Sequence, residues 1–597
     1  MMKRWATTFL LAFLCLFVVS EITVAQNTSA SFTGRVIDEE GDPLPGVNIV
    51  AVHQPTGTEF GVATNANGRY TIQNARIGGP YTVTASFVGY RSVRETGITL
   101  RLDQERRIDF QLEPQTEELD AIEVVAEERE IISSERTGAS RNVSTEEIQS
   151  LPTIDRSLTD FARLIPQSSG SGSNSLAGAN GRYNSIQIDG ATLDDVFGLG
   201  DAVPGSQAGA QPISLDAIEQ FNIEIAPYDI RSSGFTGGQI NAVTKSGSNQ
   251  FEGSLRYLGR NEALVGDLDG ASFDEFGEHF FVGTLGGPII EDELFFFVTA
   301  EVRRRTSPLQ STDEFALPQS TLDDYGFDST EDVVQRQREI SQNQYGWEPG
   351  SFDPFSQDNN NRKFLAKLDW NINSSHRLTL RHNYVDATDE AGVGRSTNTL
   401  DFSSAQYNFN STQNSTSLKL NSTLGDNAFN EFSFVYTRIR DSRVPTAELR
   451  PEVSTQFADG DYSIGQGIGR FDQANRLDQD IIEVTNDFTY VVGDHTLTFG
   501  TNNEIFNVSN LFIQDYVGSY EFSPFEVTDG NGNVVREVGP LEAFQLGVPS
   551  NYQFSDSRLD NPKPEADFTA MRLGGYAQTE WAVLPRSPAG SRKKIES

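Results

Sequence analysis

From residue 251 onward, apolar and polar side chains alternate along long stretches of the chain. Phe364, Leu368 and Trp370 fall on one side of this alternation, and Lys367 and Asp369 fall on the other. A period of two is typical of β-strands that have one apolar and one polar face. The pattern predicts about ten such strands, near residues 251–260, 279–287, 293–304, 362–373, 376–388, 413–424, 428–441, 480–491, 494–505 and 570–583.

The connections between these segments alternate in length. Tight turns are predicted around residues 286–288, 373–375, 425–427 and 493–494. Long polar connections fill residues 305–361, 389–412, 442–479 and 506–569. Short turns at one end and long loops at the other are typical of outer-membrane barrels, whereas the strands of a soluble sandwich are shorter. Residues 251–583 are therefore predicted to form part of a transmembrane antiparallel β-barrel.

Residues 26–112 contain shorter alternating runs separated by turn residues. This spacing predicts an all-β sandwich of about seven strands. The predicted strands include Phe32–Val36, Val47–Val52, Tyr70–Ile72, Tyr81–Ala85 and Arg107–Phe110. The segments Gly34-Arg35-Val36, Pro43–Val47, Gly68-Arg69-Tyr70 and Gly89-Tyr90 resemble the carboxypeptidase regulatory-like domain.

That resemblance does not imply peptidase activity, because the residues of a zinc peptidase are missing from the sequence. None of the five histidines is followed by a glutamate three positions later, and no His-Glu-x-x-His motif occurs. Carboxylate pairs such as Asp194-Asp195 and Asp323-Asp324 lie in loop-like sequence, where solvated acids are the more common case. The sequence therefore predicts no enzyme activity, no catalytic residues, no metal site and no cofactor.

Residues 131–250 are rich in Gly, Ser and Asn but still carry structural signals. A helix is predicted at Thr145–Ile148, with Ser144 or Thr145 as its cap. Strands are predicted at Ser185–Ile188 and Ile218–Ile225, and the segment closes with the glycine-rich stretch Gly234–Gly247. This segment resembles the plug domain of TonB-dependent outer-membrane receptors, and its closing stretch is most similar to the Oar-like branch of that family.

The tether at residues 113–130 is acidic and contains the β-prone stretch Leu119–Ala126. An exposed strand between polar flanks is suited to pairing with the strand of a partner protein. The stretch resembles the TonB box of the same receptors, which implies a TonB-type periplasmic energising protein as partner. The matching positions are Ile122, Glu123, Val124, Val125 and Ala126.

The first 25 residues are predicted to be a secretory signal peptide. Lys3 and Arg4 precede the apolar run Phe9–Val19, which is too short to span a membrane as a helix. The single cysteine of the chain, Cys15, lies inside this segment. The net charge of the chain is -38, which argues against nucleic acid as a partner because phosphates would be repelled.

The last residues depart from the barrel pattern. Gly574–Val583 resembles a recurring barrel strand of the receptors, but residues 584–597 are basic and do not alternate. The family has twenty-two strands, and a barrel of about ten would be too narrow to enclose a plug of this size. We therefore expect that the barrel in this chain is C-terminally truncated and that residues 584–597 form an aberrant tail.

Together these features predict an all-β-dominated protein of the outer membrane, in contact with lipid. The resemblance implies a receptor for the energy-coupled passage of a large ligand, with siderophore, glycan, peptide and protein all open as cargo. The direction of transport is also open. Two alternatives are a non-transporting surface or adhesion protein, and a secreted carbohydrate-binding protein acting through residues 26–112.

Overall fold

A computed structural model shows a protein built mainly from β-strands. It describes residues 28–581 except 116–121, 126–138, 152, 154–155, 166, 169–174, 194–202, 204, 226–229, 232–235, 266–275 and 310–314. The predicted signal peptide, Ala126, the pair Asp194-Asp195 and the tail at 584–597 lie outside the described residues. The predicted fold class, a sandwich followed by an α+β plug and part of an antiparallel barrel, is confirmed.

The N-terminal sandwich consists of two facing sheets around one apolar core. One sheet has the order β4-β1-β7, with β8 also on β1, and the other has the order β3-β2-β5-β6-β9. Phe32, Tyr81 and Leu100 are fully buried between the two sheets. The strands are β1 (Ala30–Ile37), β2 (Asn48–His53), β3 (Thr58–Ala63), β4 (Arg69–Ala75), β5 (Gly78–Ser86), β6 (Val93–Leu100), β7 (Glu105–Arg107), β8 (Phe110–Gln111) and β9 (Ile122–Val125).

One predicted strand of the sandwich, Arg107–Phe110, is wrong as a continuous element. The chain leaves β1 after Arg107 and returns to it at Phe110, so that two short strands replace one. Between them the Asp109 carboxylate accepts a hydrogen bond from the backbone N–H of Arg35 at 2.8 Å. A side chain therefore replaces one rung of the backbone ladder, which an alternation pattern does not reveal.

The plug, residues 139–250, contains a five-stranded sheet of order β10-β13-β14-β11-β12. The predicted helix is confirmed as α1 (Thr145–Ser150), where Ser144 and Glu147 form a capping box. The predicted strands at Ser185–Ile188 and Ile218–Ile225 are confirmed as well. The strands are β10 (Ala139–Ser144), β11 (Ser185–Ile188), β12 (Ala191–Thr192), β13 (Ile218–Ile225) and β14 (Gln239–Thr244).

The remaining described residues form one large sheet and a separate set of shorter elements. Helices α2 (Glu262–Val265), α3 (Gln319–Tyr325), α4 (Thr330–Tyr345) and α5 (Pro540–Leu546) lie between strands. The strands are β15 (Glu252–Asn261), β16 (Gly277–Ile290), β17 (Leu294–Pro308), β18 (Ser356–Asn373), β19 (His376–Ala391), β20 (Thr399–Asp401), β21 (Tyr407–Thr423), β22 (Ala428–Pro445), β23 (Glu452–Phe457), β24 (Tyr462–Gln466), β25 (Asn475–Val492), β26 (His495–Phe512), β27 (Ser519–Phe522), β28 (Phe525–Thr528), β29 (Val534–Val538), β30 (Asn551–Gln553) and β31 (Ala566–Trp581).

The large sheet is the barrel wall, and its ten strands follow the order β15-β16-β17-β18-β19-β21-β22-β25-β26-β31. Each pairs antiparallel with the next, as predicted from the alternation. Lys367 and Asp369 are buried on the inner face, whereas Phe364, Leu368 and Trp370 are about 40% exposed on the outer face. Apolar residues therefore face outward and polar residues inward.

The predicted turn at residues 286–288 is wrong. Strand β16 continues through these residues to Ile290, with an irregularity in register near Pro288, and the turn follows at 291–293. A Cβ on Gly247 would lie only 2.7 Å from the carbonyl oxygen of Gly287. The glycines therefore permit the end of the plug to pass close to the barrel wall, rather than marking a turn.

The long connections at the other end of the barrel fold into a second layer, here called the cap (residues 309–355, 392–406, 446–474 and 513–565). The cap contains a sheet of order β20-β24-β23-β27-β30, the hairpin β28-β29 and helices α3, α4 and α5. The sequence suggested polar loops here, yet the cap has an apolar core of its own. That core is formed by Phe315, Leu317, Leu322, Val333, Val334, Ile340, Trp347, Leu400, Phe402, Val453, Phe457, Ile464, Phe522, Val538, Leu541, Ala543 and Phe544.

The cap should lose stability as the pH rises from about 4 to about 6. Burial raises the pKa of Asp401 to about 6, although its carboxylate accepts a 2.7 Å hydrogen bond from the N–H of Gly394. The folded cap therefore binds this proton more tightly than the unfolded chain, and the stabilisation is complete only below about pH 4. Asp401→Asn should remove the contribution of Asp401 to this pH dependence, about 3 kcal/mol for a pKa raised from 3.8 to about 6.

The measurement is urea unfolding followed by the fluorescence of Trp347, which lies in the cap core. Trp5→Phe, Trp370→Phe and Trp581→Phe remove the signals of the other three tryptophans. An exposed acid of the cap, Asp323→Asn, is the matched control. Equal pH dependence in the Asp401→Asn variant and the parent would contradict the assignment.

Candidate functional site

The plug is fastened to the inner barrel wall through a buried carboxylate, Asp189. Asp189 follows β11 at a φ of 52° and with Gly190 makes the turn into β12. Its carboxylate accepts hydrogen bonds from the N–H and the hydroxyl of Thr244, at 2.9 and 2.7 Å. From the wall, Nη1 of Arg381 approaches to 2.9 Å and Nζ of Lys367 to 3.9 Å. The plug and two barrel strands therefore meet at one charged cluster.

The electrostatic balance of this cluster favours the ionised acid. Burial alone would raise the pKa of Asp189, but Lys367 and Arg381 outweigh burial and hold the pKa at about 2. Arg381 is only 1% exposed and also donates a 2.7 Å hydrogen bond to the carbonyl of Ile188. Removing one partner of such a buried pair leaves an uncompensated charge, which is strongly destabilising.

Further polar contacts join the plug to the wall. Asp216 of the plug pairs with Arg256 of β15 at 3.1 Å, and the N–H of Thr192 donates to Glu483 of β25 at 3.2 Å. Asn383 of β19 donates to the carbonyl of Pro212 at 2.8 Å. Polar contacts of this kind can be exchanged for water. Apolar contacts lie beside them, since Ala208 and Ala210 of the plug cluster with Val385, Ala387 and Phe409 of the wall. A rearrangement of the plug would therefore exchange the polar contacts for water and also separate this small apolar cluster.

A cavity of about 610 Å³ lies between the plug and the cap-side ends of β17, β18 and β19. Its charged lining is mixed, with two arginines and two acids: Arg303, Arg305, Asp389 and Glu390. The side-chain amide oxygen of Asn359 (Oδ1) is buried at this wall and has no hydrogen-bond partner among the described residues. Unsatisfied polar groups in a cavity of this size suit a polar ligand.

The candidate box forms a strand, but one edge of this strand is already paired. Ile122–Val125 forms β9, which pairs in parallel with β6 of the sandwich, Val93 opposite Ile122 and Thr96 opposite Val125. Ala126, the fifth predicted position, lies outside the described residues. The second edge of β9 has no paired strand in the sheets of the described residues. A partner strand could add there.

Sequence reasoning missed the Asp189 cluster and the cavity. The sequence predicts a strand that ends at Ile188, just before Asp189, and places Lys367 on the polar side of the alternation, but neither pattern predicts their contact. The available signal was an acid in a plug turn together with inward-facing cations in neighbouring barrel strands. Among the described residues, no group of three or more His, Cys, Asp or Glu side chains is placed to hold a metal ion. The helices of the same part of the chain are all too short or too polar to cross a membrane.

Comparison with known families identifies two segments. The model of the carboxypeptidase regulatory-like domain matches residues 31–113. The model of the outer membrane beta barrel domain matches residues 243–344 and 339–586, more than half of the chain. The chain belongs to the outer-membrane β-barrel family. The predicted location in the outer membrane is confirmed, and the cap is therefore on the extracellular side, where such barrels carry their long loops.

Curated relatives support the resemblance to TonB-dependent receptors. The TonB-dependent transporter Oar of Myxococcus xanthus is 27% identical over 401 residues, which cover 62% of this chain and 34% of Oar. The TonB-dependent receptor P39 of Formosa agariphila is 27% identical over 235 residues, or 38% of this chain and 20% of P39. The chain thus spans about a third or less of the length of these relatives.

Solved receptor structures are more distant. The outer-membrane transporter YddB from Escherichia coli aligns with a TM-score of 0.42 and 14% identity, covering 74% of this chain and 58% of that one. The ferric enterobactin receptor PfeA from Pseudomonas aeruginosa aligns with a TM-score of 0.46 and 11% identity, covering 75% and 56%.

Asp189→Asn should loosen the plug, because Arg381 and Lys367 would lose their counter-charge in a buried site. We expect a loss of about 3–5 kcal/mol in plug stability. The measurement is the urea concentration at which the plug becomes sensitive to protease while the barrel stays folded. Asp323→Asn in the cap is the control. An unchanged urea midpoint would show that Asp189 does not fasten the plug.

Proposed function

We propose that the protein acts as a TonB-dependent outer-membrane receptor. The observation that carries the proposal is the arrangement of three parts along one chain. A strand with an open edge, β9, precedes a plug that is held to the barrel wall by a buried ion pair, and a polar cavity lies on the far side of that plug. The names of the relatives Oar and P39 support the same function.

In this proposal a periplasmic TonB-type protein adds a strand to the box, and the ligand binds on the cap side. The mixed charges and unsatisfied amides of the cavity favour a polar ligand that carries both hydrogen-bond donors and acceptors. Siderophore, glycan and peptide ligands all have that chemistry, and a protein could present it on a loop. Force on the box would then exchange the polar plug contacts for water and open a path through the barrel.

The box is tested by replacing Val124 and Val125 with proline. Proline has no N–H, and successive N–H groups of a strand point to opposite edges. One of the two single variants therefore removes a donor from the open edge, and the other removes a donor that faces β6. We expect Val124→Pro/Val125→Pro to weaken binding of the C-terminal domain of a TonB-type protein by at least about tenfold, as measured by titration calorimetry on the purified chain.

Glu118→Pro, on the same acidic tether, is the matched control and should leave the affinity unchanged. The double variant should still fractionate with the outer membrane. Equal affinity in the parent and the double variant would overturn the proposed role of the box. It would then favour a surface or adhesion protein that is not energised through this segment.

A further inference from the structure

The N-terminal sandwich lies against the barrel at the end opposite the cap, which is the periplasmic mouth. The N–H of Asn249, just before β15, donates to the carbonyl of Pro55 at 2.8 Å. Asn371 of β18 donates to the hydroxyl of Thr58 at 2.9 Å. Across the mouth, Arg69 pairs with Asp494 in the turn between β25 and β26, at 3.4 Å. The sandwich therefore contacts widely separated parts of the barrel rim.

Beneath these rim contacts the sandwich places a charge inside the barrel. Nη2 of Arg76 lies 3.2 Å from the carboxylate of Asp369 on the inner face, and both side chains are less than a tenth exposed. From the wall, Arg377 donates to the carbonyl of Asn74 at 3.1 Å and lies over the ring of Phe60 at 5.9 Å. Groups buried and paired across an interface indicate a seated domain, since a loosely tethered domain would leave them in water.

The seated sandwich also reaches the plug. The N–H of Leu102, after β6, donates to the side chain of Gln220 in β13 at 3.1 Å, in a buried position. The sandwich thus forms a second layer beneath the plug, and the lumen of the described barrel wall is covered from the periplasmic side.

The box is joined to the sandwich and to the plug in different ways. It is joined to the sandwich directly, by the backbone ladder between β9 and β6. It is joined to the plug only through residues 126–138, thirteen positions that can span up to about 45 Å when fully extended. A pull on the box therefore acts on the sandwich directly, through that ladder.

We propose that the N-terminal sandwich is a periplasmic gate on the barrel mouth, held by the Arg76–Asp369 pair. We further propose that a pull on the box strand releases this gate, and we call the box strand in this role the handle. The gate stands on the docking contacts alone. The handle rests on the proposed function, because it assigns the pull to the partner that binds the box. The order of events follows from the connections: the sandwich leaves the mouth first, and the plug is loaded afterwards.

Docking is tested by a disulfide across the rim. A Cβ on Gly57 would lie 3.3 Å from the Cβ of Asp292, close to the separation of about 3.5–4.5 Å in a disulfide. In the purified chain with Cys15→Ser, Gly57→Cys/Asp292→Cys should cross-link nearly completely under mild oxidation, seen as faster migration on a non-reducing gel. Both positions have a positive φ, which a cysteine adopts with strain. The two single-cysteine variants show whether that strain alone disturbs the fold.

Arg76→Ala in this background should slow cross-linking at least about tenfold, because the sandwich would lose its buried ion pair with the wall. The matched control is Arg107→Ala, which removes an exposed ion pair that lies within the sandwich. No cross-link in the parent pair, or equal rates in both arginine variants, would overturn the gate.

The handle is tested by pulling single molecules between a tether coupled at Glu123 and another at Asn531 in the cap. We expect two release events: a first one for the sandwich and a second one for the plug. Oxidation of the Gly57→Cys/Asp292→Cys pair should abolish the first event and leave the second. A single plug event, unaffected by oxidation, would overturn the handle.

Failure here is distinguishable from failure of the proposed function. Loss of TonB-domain binding in Val124→Pro/Val125→Pro, together with a single plug event that oxidation of the cysteine pair does not change, would keep the receptor assignment and remove the handle. The opposite outcome is that the disulfide forms and abolishes the first event, while Val124→Pro/Val125→Pro binds the TonB domain as well as the parent does. That outcome would keep the gate and remove the receptor assignment of the box.

Discussion

The lipid bilayer imposes the constraint on which the rest of the structure depends. Backbone N–H and C=O groups in the hydrocarbon layer must pair within the protein, so the wall is one continuous antiparallel ladder. Because each strand turns apolar side chains toward lipid, every second residue faces inward, and many of these inward residues are polar. Lys367, Asp369 and Arg381 owe their inward position to this alternation. A domain that seats inside such a wall must supply complementary polar groups, and both the plug and the sandwich do.

The two interior domains meet this requirement with opposite charges. The plug offers an acid, Asp189, to the cations of the wall, and the sandwich offers a cation, Arg76, to the wall acid Asp369. Lys367 and Asp369 lie on the same strand, two residues apart, on the same face. Neighbouring side chains of β18 therefore hold two different domains. A buried pair adds little net stability compared with apolar packing, but it penalises misplacement heavily, so it fixes where each domain sits.

The sequence was most informative where structure is local. Period-two alternation located the ten barrel strands, and the Ser144–Glu147 capping box located α1. It was least informative where apolar residues are brought together from distant segments. Phe402, Phe457 and Phe544 lie in different connections and show no common period, so the cap was read as polar loops. The glycines at 286–287 suggested a turn. A strand that lets the backbone of Gly247 approach closely favours glycine as well, so the two cases cannot be told apart from the sequence. The box was predicted as a strand, but its pairing with β6 is a tertiary contact.

The cap has a further consequence for how the protein can change over generations. Its core is formed only by residues of the connections, whereas the residue pattern of the barrel strands depends on their contacts with lipid and with the lumen. Residues on the exposed side of the cap can therefore be replaced without disturbing either the cap core or the wall. The architecture thus separates an outer surface that can vary from the parts that must stay constant for the protein to fold in the membrane.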